Sequence, residues 1–216
     1  MQMTYLTLVQ NLLKRLRERS VNTVDENTYS SMLGVLVNDA KSEVENAWNW
    51  SALRQTLTLQ TTSGTFNYEL NGTGNNFTVM DVVNDQGNFF LDYRTQHQFN
   101  QFYLNQNPSV GNPRYYNFNG VSADGDTLVD LYPKPNGQYN IFFNIIQRTG
   151  DLVNDSDVLT VPHLPVMLLA YAKAVEERGE DGGASASTAY ATAARVLNDA
   201  IAQDSQRHVE ELQWNY

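Results

Sequence analysis

The sequence predicts an α+β protein, in which helices from both ends of the chain form one bundle and an antiparallel β sandwich or barrel is inserted between them. Near both ends, apolar residues recur every three or four positions, which is the period of an amphipathic helix. In the middle of the chain apolar and polar residues alternate, which is typical of half-buried strands. The predicted boundaries are 1–51 with 158–207 for the bundle, 52–157 for the β domain and 208–216 for a C-terminal tail.

Composition limits the classes of function. The 216 residues carry a formal net charge of −10 and contain no cysteine, which excludes disulfide scaffolds, cysteine nucleophiles and thiolate metal sites. An acidic chain is unsuited to wrapping nucleic acid, because phosphate binding needs a continuous basic surface, but DNA could slide past it. No apolar run approaches the length of a membrane span and no signal-peptide pattern opens the chain, so we expect a soluble protein without a membrane partner.

The first two helices are predicted from their apolar stripes. Residues 4–19 form the first, whose inward side chains are Leu6, Val9, Leu12, Leu13 and Leu16. Its basic C-terminal end suits the negative end of the helix dipole, although contact with an acidic partner is an alternative reading of those charges. Thr23 and Glu26 fit a capping box that starts the second helix, which runs to Trp48.

The chain changes from helix to strand at two tryptophans. Trp48 and Trp50 lie where the helical period ends, and Leu53 and Arg54 lead into the first alternating segment. A junction between two layers has to be filled by large apolar groups. We therefore predict that these four residues form a structural helix–sheet junction.

Six or seven antiparallel strands are predicted in the middle of the chain. Segments 78–83 and 88–93 flank a hairpin turn at 84–87, and a short helix follows within 95–105. The remaining strands are two alternating segments at Leu57–Leu59 and Phe66–Leu70 with a turn at 61–64 between them, then 115–118, which a turn at Asn119-Gly120 separates from 127–132, and finally 138–148. Two helices then complete the bundle. Thr160 is the predicted N-cap of the first, Gly179 ends it, and the second spans about 185–207 with Tyr190, Ala193, Ala194, Leu197 and Ile201 inward.

Candidate catalytic and metal-ligating residues do not form a recognisable constellation. The histidines His97, His163 and His208 fall in separate elements without ligand spacing. Asp124-Gly125-Asp126 and Asp155-Ser156-Asp157 resemble fragments of calcium loops but lack the remaining ligands, so turn-forming roles are preferred. We expect no cofactor and no metal, and we expect that the protein is not an enzyme. A small hydrolase using paired carboxylates stays open as a third alternative, because nothing singles out a pair among 24 acidic residues.

Several spaced features resemble one family. Asn46-Ala47-Trp48-Asn49-Trp50 ends a helix, Tyr68-Glu69-Leu70 ends a Thr-rich segment, and Gly111-Asn112-Pro113-Arg114-Tyr115 precedes a strand. Leu131-Tyr132-Pro133-Lys134-Pro135 and an Ala-rich helix ending at Glu177-Arg178-Gly179 follow. Together they resemble the head-to-tail adaptor of short-tailed bacteriophages, of the tail tubular protein A type. The likeness covers most of residues 24–180, although no proline follows Leu70, which departs from the commonest pattern.

The resemblance implies a non-enzymatic virion structural protein of the tail or neck, assembled in the host cytoplasm. Such adaptors form a homo-oligomeric ring, typically a dodecamer, between the portal protein and the tail nozzle protein, with a tail fibre as a further candidate partner. DNA passes through the lumen without sequence-specific binding. The C-terminal segment of the family commonly docks on the portal, which makes Leu212, Trp214 and Tyr216 the candidate docking residues here, since aromatic side chains dominate interface hot spots.

The main alternative is a carbohydrate-binding or receptor-binding virion tail protein. Aromatic side chains on a sheet can stack on sugar rings, and the candidates are Tyr93, Tyr103, Tyr115, Tyr116, Trp48 and Trp50. For the two tryptophans, filling the helix–sheet junction is the preferred role.

Overall fold

The computed structural model describes residues 3–104, 108–179 and 183–206, and it confirms the predicted α+β class. The chain divides into two compact units. One, the helical unit, contains the chain up to Leu53 and from Arg148 onward, and the other, the β unit, is Arg54–Gln147. That the two are independently folding domains, with boundaries at 52 and 157, stays a prediction.

Four long helices build the helical unit within the described residues. In chain order they are α1 (Tyr5–Arg15), α2 (Thr28–Ala47), α4 (His163–Arg178) and α5 (Ala184–Ser205), while the short helix α3 (Gln96–Tyr103) belongs to the β unit. Their apolar faces meet in a core that includes Leu8, Leu12, Leu33, Val37, Val44, Val166 and Ala170. Gly34 lets α1 approach α2 closely, because a Cβ there would lie 2.8 Å from Val24 Cγ1 and would also collide with the Tyr5 hydroxyl.

Three predicted helix boundaries are wrong. α1 ends at Arg15 and not at residue 19, because Arg17 adopts a left-handed φ of 59°. The capping box of α2 is formed by Asn27 and Ser30, while Val24–Glu26 makes a separate 3₁₀ turn. The N-cap of α4 is Pro162 and not Thr160. Gly179 does end α4 with a φ of 61°, as predicted from its freedom to adopt that conformation.

The inward faces of two helices also differ from the prediction. In α1, Tyr5 and Leu8 are buried where Leu6 was expected. In α5 the buried residues are Ala186, Ala193 and Asp204, while Ala194 is exposed. The buried side chains of α5 are therefore small apart from one carboxylate, while Tyr190 and Leu197 are half-buried and the Tyr190 hydroxyl donates to Glu176 of α4.

The β unit is a sandwich of two four-stranded sheets. The first has the order β1-β10-β3-β4 and the second β2-β8-β7-β5. The strands are β1 (Arg54–Gln60), β2 (Asn67–Glu69), β3 (Phe77–Asn84), β4 (Phe89–Phe90), β5 (Asp92–Tyr93), β6 (Val110–Gly111), β7 (Tyr115–Val121), β8 (Thr127–Tyr132), β9 (Lys134–Pro135) and β10 (Asn140–Gln147), with α3 at Gln96–Tyr103. One apolar core joins the sheets, formed by Leu59, Val82, Ile141, Phe143 and Ile145 with Leu70, Tyr116, Val129 and Leu131.

The sandwich is not wholly antiparallel, which corrects the prediction. Within the predicted strand 88–93, only Phe89 and Phe90 pair with β3, and the chain then crosses to the second sheet, where β5 runs parallel to β7. Leu91 makes this transfer, because its N–H donates to Val82 O at 2.8 Å while the next N–H, of Asp92, donates to Arg114 O at 3.0 Å. β6 and β9 form a second parallel pair. Gly120 lies within β7 at a register shift, not in the predicted turn.

Candidate functional site at the helix–strand junction

The four predicted junction residues follow one another where α2 ends. Trp48 is the C-cap of α2, Ser51–Leu53 form a 3₁₀ turn, and Arg54 begins β1. Trp50 is only 1% exposed and Leu53 2%, whereas Trp48 is half-buried. The location predicted from the sequence is therefore where the chain leaves the helical unit, and the role of these residues in assembly stays a prediction.

Trp50 completes the hydrogen bonding of the α2 C-terminus. Its indole Nε1 donates to the carbonyl of Val44 at 2.7 Å. The last four carbonyls of a helix have no intrahelical partner, and a buried one without any partner is costly. Trp50 thus fills space with its ring and satisfies a helix end with its nitrogen.

Asp204, near the end of α5, holds the junction by three hydrogen bonds. Its Oδ2 accepts from Trp48 Nε1 at 3.1 Å and from the Ser51 N–H at 3.0 Å, and its Oδ1 accepts from Ser51 Oγ at 2.6 Å. The residue is 7% exposed. Bonds from neutral donors to a carboxylate are stronger than neutral pairs, so Asp204 fastens the departing chain to α5. The sequence does not single out Asp204, because no local pattern links it to Trp48 and Ser51, which lie 156 and 153 positions away.

A buried ion pair holds the returning chain. Lys41 and Glu45, one turn apart on α2, pair at 3.1 Å with side chains 2% and 1% exposed. Lys41 Nζ donates to the carbonyls of Thr149 and Gly150, both at 2.9 Å. Glu45 accepts from the Thr149 N–H at 3.1 Å and from its hydroxyl at 2.7 Å. Every charge of this pair therefore has both an opposite charge and hydrogen-bond partners, as a buried ion needs.

Asn38 extends the same contact by one turn of α2. Its Nδ2 donates to Leu152 O at 3.0 Å, and its Oδ1 accepts from the Leu152 N–H at 2.9 Å. With Lys41 and Glu45 it forms a polar row along α2. This row makes hydrogen bonds with main-chain groups of the returning segment 149–152. We call this row the return clamp, and Asp204 with its three donors the exit clamp.

The two aspartate-rich motifs serve as turn-forming groups. Hydrogen bonds from the N–H groups of Gly72 and Gly74, each 2.8 Å long, lower the pKa of Asp126. Likewise the N–H groups of Asn154 and Val153 lower the pKa of Asp157. Across residues 3–104, 108–179 and 183–206, no group of three or more His, Cys, Asp or Glu side chains is arranged to hold a metal ion.

The aromatic residues that could stack on sugars are largely engaged with one another. Tyr116 is 8% exposed and packs edge-on against Phe143. Tyr115 stacks on Phe102, at 5.6 Å between ring centroids, and also lies beneath the guanidinium of Arg94. Tyr93, 53% exposed, is the most accessible tyrosine of that group. A sugar platform built from these candidates would therefore rest on Tyr93 and not on Tyr115 or Tyr116.

The predicted docking residues Leu212, Trp214 and Tyr216 lie outside the described residues, as does His208. Of the other histidines, His97 lies in α3 and His163 begins α4. No helix in the described part of the chain has the length and apolar character needed to cross a membrane.

Comparison with known proteins identifies one family. A family model described as the SU10 adaptor protein, a phage head-to-tail adaptor family, matches residues 3–212. Curated individual proteins give no match. The matched range includes both clamps and the whole β unit.

Proposed function

We propose that this chain, which belongs to the SU10 adaptor protein family, assembles into a ring that connects the portal to the tail nozzle of a bacteriophage and forms part of the channel for DNA ejection. Family membership makes it a phage structural adaptor and a virion component, and implies interaction with portal and tail components. The family match over residues 3–212 is the observation that carries the proposal.

The proposed mechanism is geometric, with no bond-making step. The helical unit would build the ring wall, and a dodecamer would match the portal, as in related adaptors. The exit and return clamps support this role, because they fasten to α2 and α5 both segments through which the chain leaves and re-enters the helical unit. A rigid ring subunit needs its connecting segments held in one conformation.

The net charge of −10 suits a conduit for DNA. Duplex DNA carries a high density of negative charge, so an acidic lumen repels it and does not hold it. An adaptor with this excess of acidic residues would let DNA pass during ejection without sequence-specific contacts.

The C-terminal tail is the proposed portal anchor. Leu212, Trp214 and Tyr216 alternate with polar residues, so that in an extended conformation they would share one face. Large apolar side chains on one face are suited to filling pockets on a partner.

Replacing Leu212, Trp214 and Tyr216 together by alanine should weaken portal binding by on the order of a hundredfold or more, since each hot-spot side chain contributes about 1–2 kcal/mol or more. The matched control replaces the intervening Gln213 and Asn215 by alanine, which should leave binding close to wild type. Binding of purified chain to the portal of the same virion, followed by light scattering or surface plasmon resonance, measures both. A triple variant that binds the portal as tightly as the control would remove the tail from the proposal.

A further inference from the structure

One edge strand of the β unit differs from the others in length. The two sheets of the sandwich end in β1, β4, β2 and β5. β4 and β5 have two residues each and β2 has three, whereas β1 has seven. Short edges are one way in which proteins prevent pairing with another chain, and β1 lacks this protection.

β1 also lacks the other usual protections. Its sequence, Arg-Gln-Thr-Leu-Thr-Leu-Gln, contains neither proline nor lysine, and after Arg54 it is uncharged. Its register with β10 runs without a bulge from Arg54↔Ile146 to Gln60↔Asn140. A strand without a bulge, and without charge after its first residue, presents a regular row of main-chain donors and acceptors.

The register identifies the residues whose main-chain groups face the open edge. The Thr61 N–H donates to Tyr139 O at 2.9 Å, which places Thr61 among the residues that hydrogen-bond to the β10 side. In an antiparallel ladder these alternate along the strand, so Leu59, Leu57 and Gln55 belong to the same set. The main-chain groups of Thr56, Thr58 and Gln60 therefore point away from β10, and all three residues are exposed.

A cavity lies beside this edge, within the β unit. It has a volume of about 570 Å³ and separates β1 from β2, the edge of the other sheet. Its lining includes Leu59 and Leu70, which also belong to the sandwich core. The sandwich thus has an open seam in which main-chain groups and the margin of the apolar core are both presented.

We propose that the β1 edge binds an extended segment of a neighbouring tail protein, which adds a strand to the first sheet and closes the seam. This proposal rests on the adaptor function. Added strands derive affinity from main-chain hydrogen bonds and selectivity from alternate side chains. Gln55–Gln60 carry no charge to pair with a charged segment, and Glu69, which lines the cavity, would repel an acidic one. The fitting segment is therefore uncharged and places small or apolar side chains towards Leu59 and Leu70. β1 is about 23 Å long, at 3.3 Å per residue, which accommodates a partner strand of similar length.

A second copy of this chain fits the edge less well than a different protein. Pairing of β1 with β1 of another copy is an isologous contact, which closes a twofold pair and does not propagate around a ring. The other sheet edges formed by the described residues have only two or three residues to offer. A different protein can pair with β1 without forming a twofold β1–β1 contact and without using one of these short edges.

Hydrogen exchange at single-residue resolution tests the proposal without any variant. In the free adaptor the amides of Thr56, Thr58 and Gln60 should exchange fast, while those of Leu57 and Leu59 are protected by β10. In assembled tails the first three should slow by on the order of tenfold or more, since new main-chain hydrogen bonds must open before exchange. Unchanged exchange in a tail that contains the adaptor overturns the strand proposal alone. Protection that appears in the adaptor without tail proteins overturns it in favour of pairing between copies. Absence of the adaptor from the tail contradicts the proposed function itself.

Thr58→Pro against Thr58→Val gives an independent check. Proline removes an outward N–H that β10 does not use, and such positions on edge strands tolerate it, whereas valine keeps the N–H. Both variants should melt within about 5 °C of wild type, but Thr58→Pro should weaken attachment of tail proteins by about tenfold or more while Thr58→Val does not. A folded Thr58→Pro chain that attaches tail proteins normally contradicts the proposal. If that variant melts much lower, Thr56→Pro replaces it with the same expected outcomes.

Discussion

Replacing Lys41 by methionine should lower the free energy of unfolding by about 3–5 kcal/mol, because it leaves the buried carboxylate of Glu45 without its cation. Two main-chain carbonyls, of Thr149 and Gly150, lose their donor at the same time. Buried polar groups without partners add to the cost. Urea unfolding followed by circular dichroism measures the change.

Two further variants separate the ion pair from the packing. Replacing Lys41 by methionine and Glu45 by leucine together should recover part of the loss, since no uncompensated charge then stays buried. Glu43→Gln is the surface control, because Glu43 is 55% exposed in its 2.6 Å pair with Lys173 and should change stability by about 1 kcal/mol or less. If Lys41→Met is no more destabilising than Glu43→Gln, the return clamp does not hold the chain as described.

Replacing Asp204 by alanine should cost about 3 kcal/mol, because three donors, Trp48 Nε1 and the N–H and hydroxyl of Ser51, lose a shared acceptor. Asp204→Asn keeps the shape and one acceptor oxygen, so the expected loss is smaller, about 1–2 kcal/mol. Asp199→Ala, at an exposed position on the same helix, is the matched control and should change stability by about 0.5 kcal/mol or less.

Thermal unfolding of the three variants ranks them directly, and the expected order of stability is Asp199→Ala, Asp204→Asn, Asp204→Ala. Tryptophan fluorescence gives a local readout, because release of the Trp48 indole from Asp204 should shift its emission towards that of a hydrated ring. Equal stability of Asp204→Ala and Asp199→Ala would mean that α5 does not anchor the junction.

The sequence predicts those features of the fold that depend on a local pattern of residues. The three-and-four spacing along α2 and the alternation in β1 and β10 reflect which face of each element is buried. A buried face requires apolar residues at regular intervals along the sequence. Trp48 and Trp50 were recognised because large aromatic residues at a change of period have few other structural uses. Gly179 was recognised because its conformation is one that few other residues adopt.

The sequence does not predict which residues far apart along the chain contact each other. Asp204 lies 153 positions from Ser51, and no local pattern links them. Lys41 and Glu45 resemble an ordinary surface pair by spacing, although both are buried. The parallel pairing of β5 with β7 was not predicted, because a hairpin signal indicates pairing only between strands that are adjacent along the chain. Asn27 rather than Thr23 caps α2 because the intervening residues form a 3₁₀ turn.

The proposed function requires that the chain form a ring between portal and tail. Native mass measurement, with electron microscopy of the same sample, tests it most directly on the full chain alone and mixed with the portal of its virion. We predict a closed ring with a central hole, seated on the portal in register with its symmetry. A chain that remains monomeric both alone and in the presence of the portal would contradict the account.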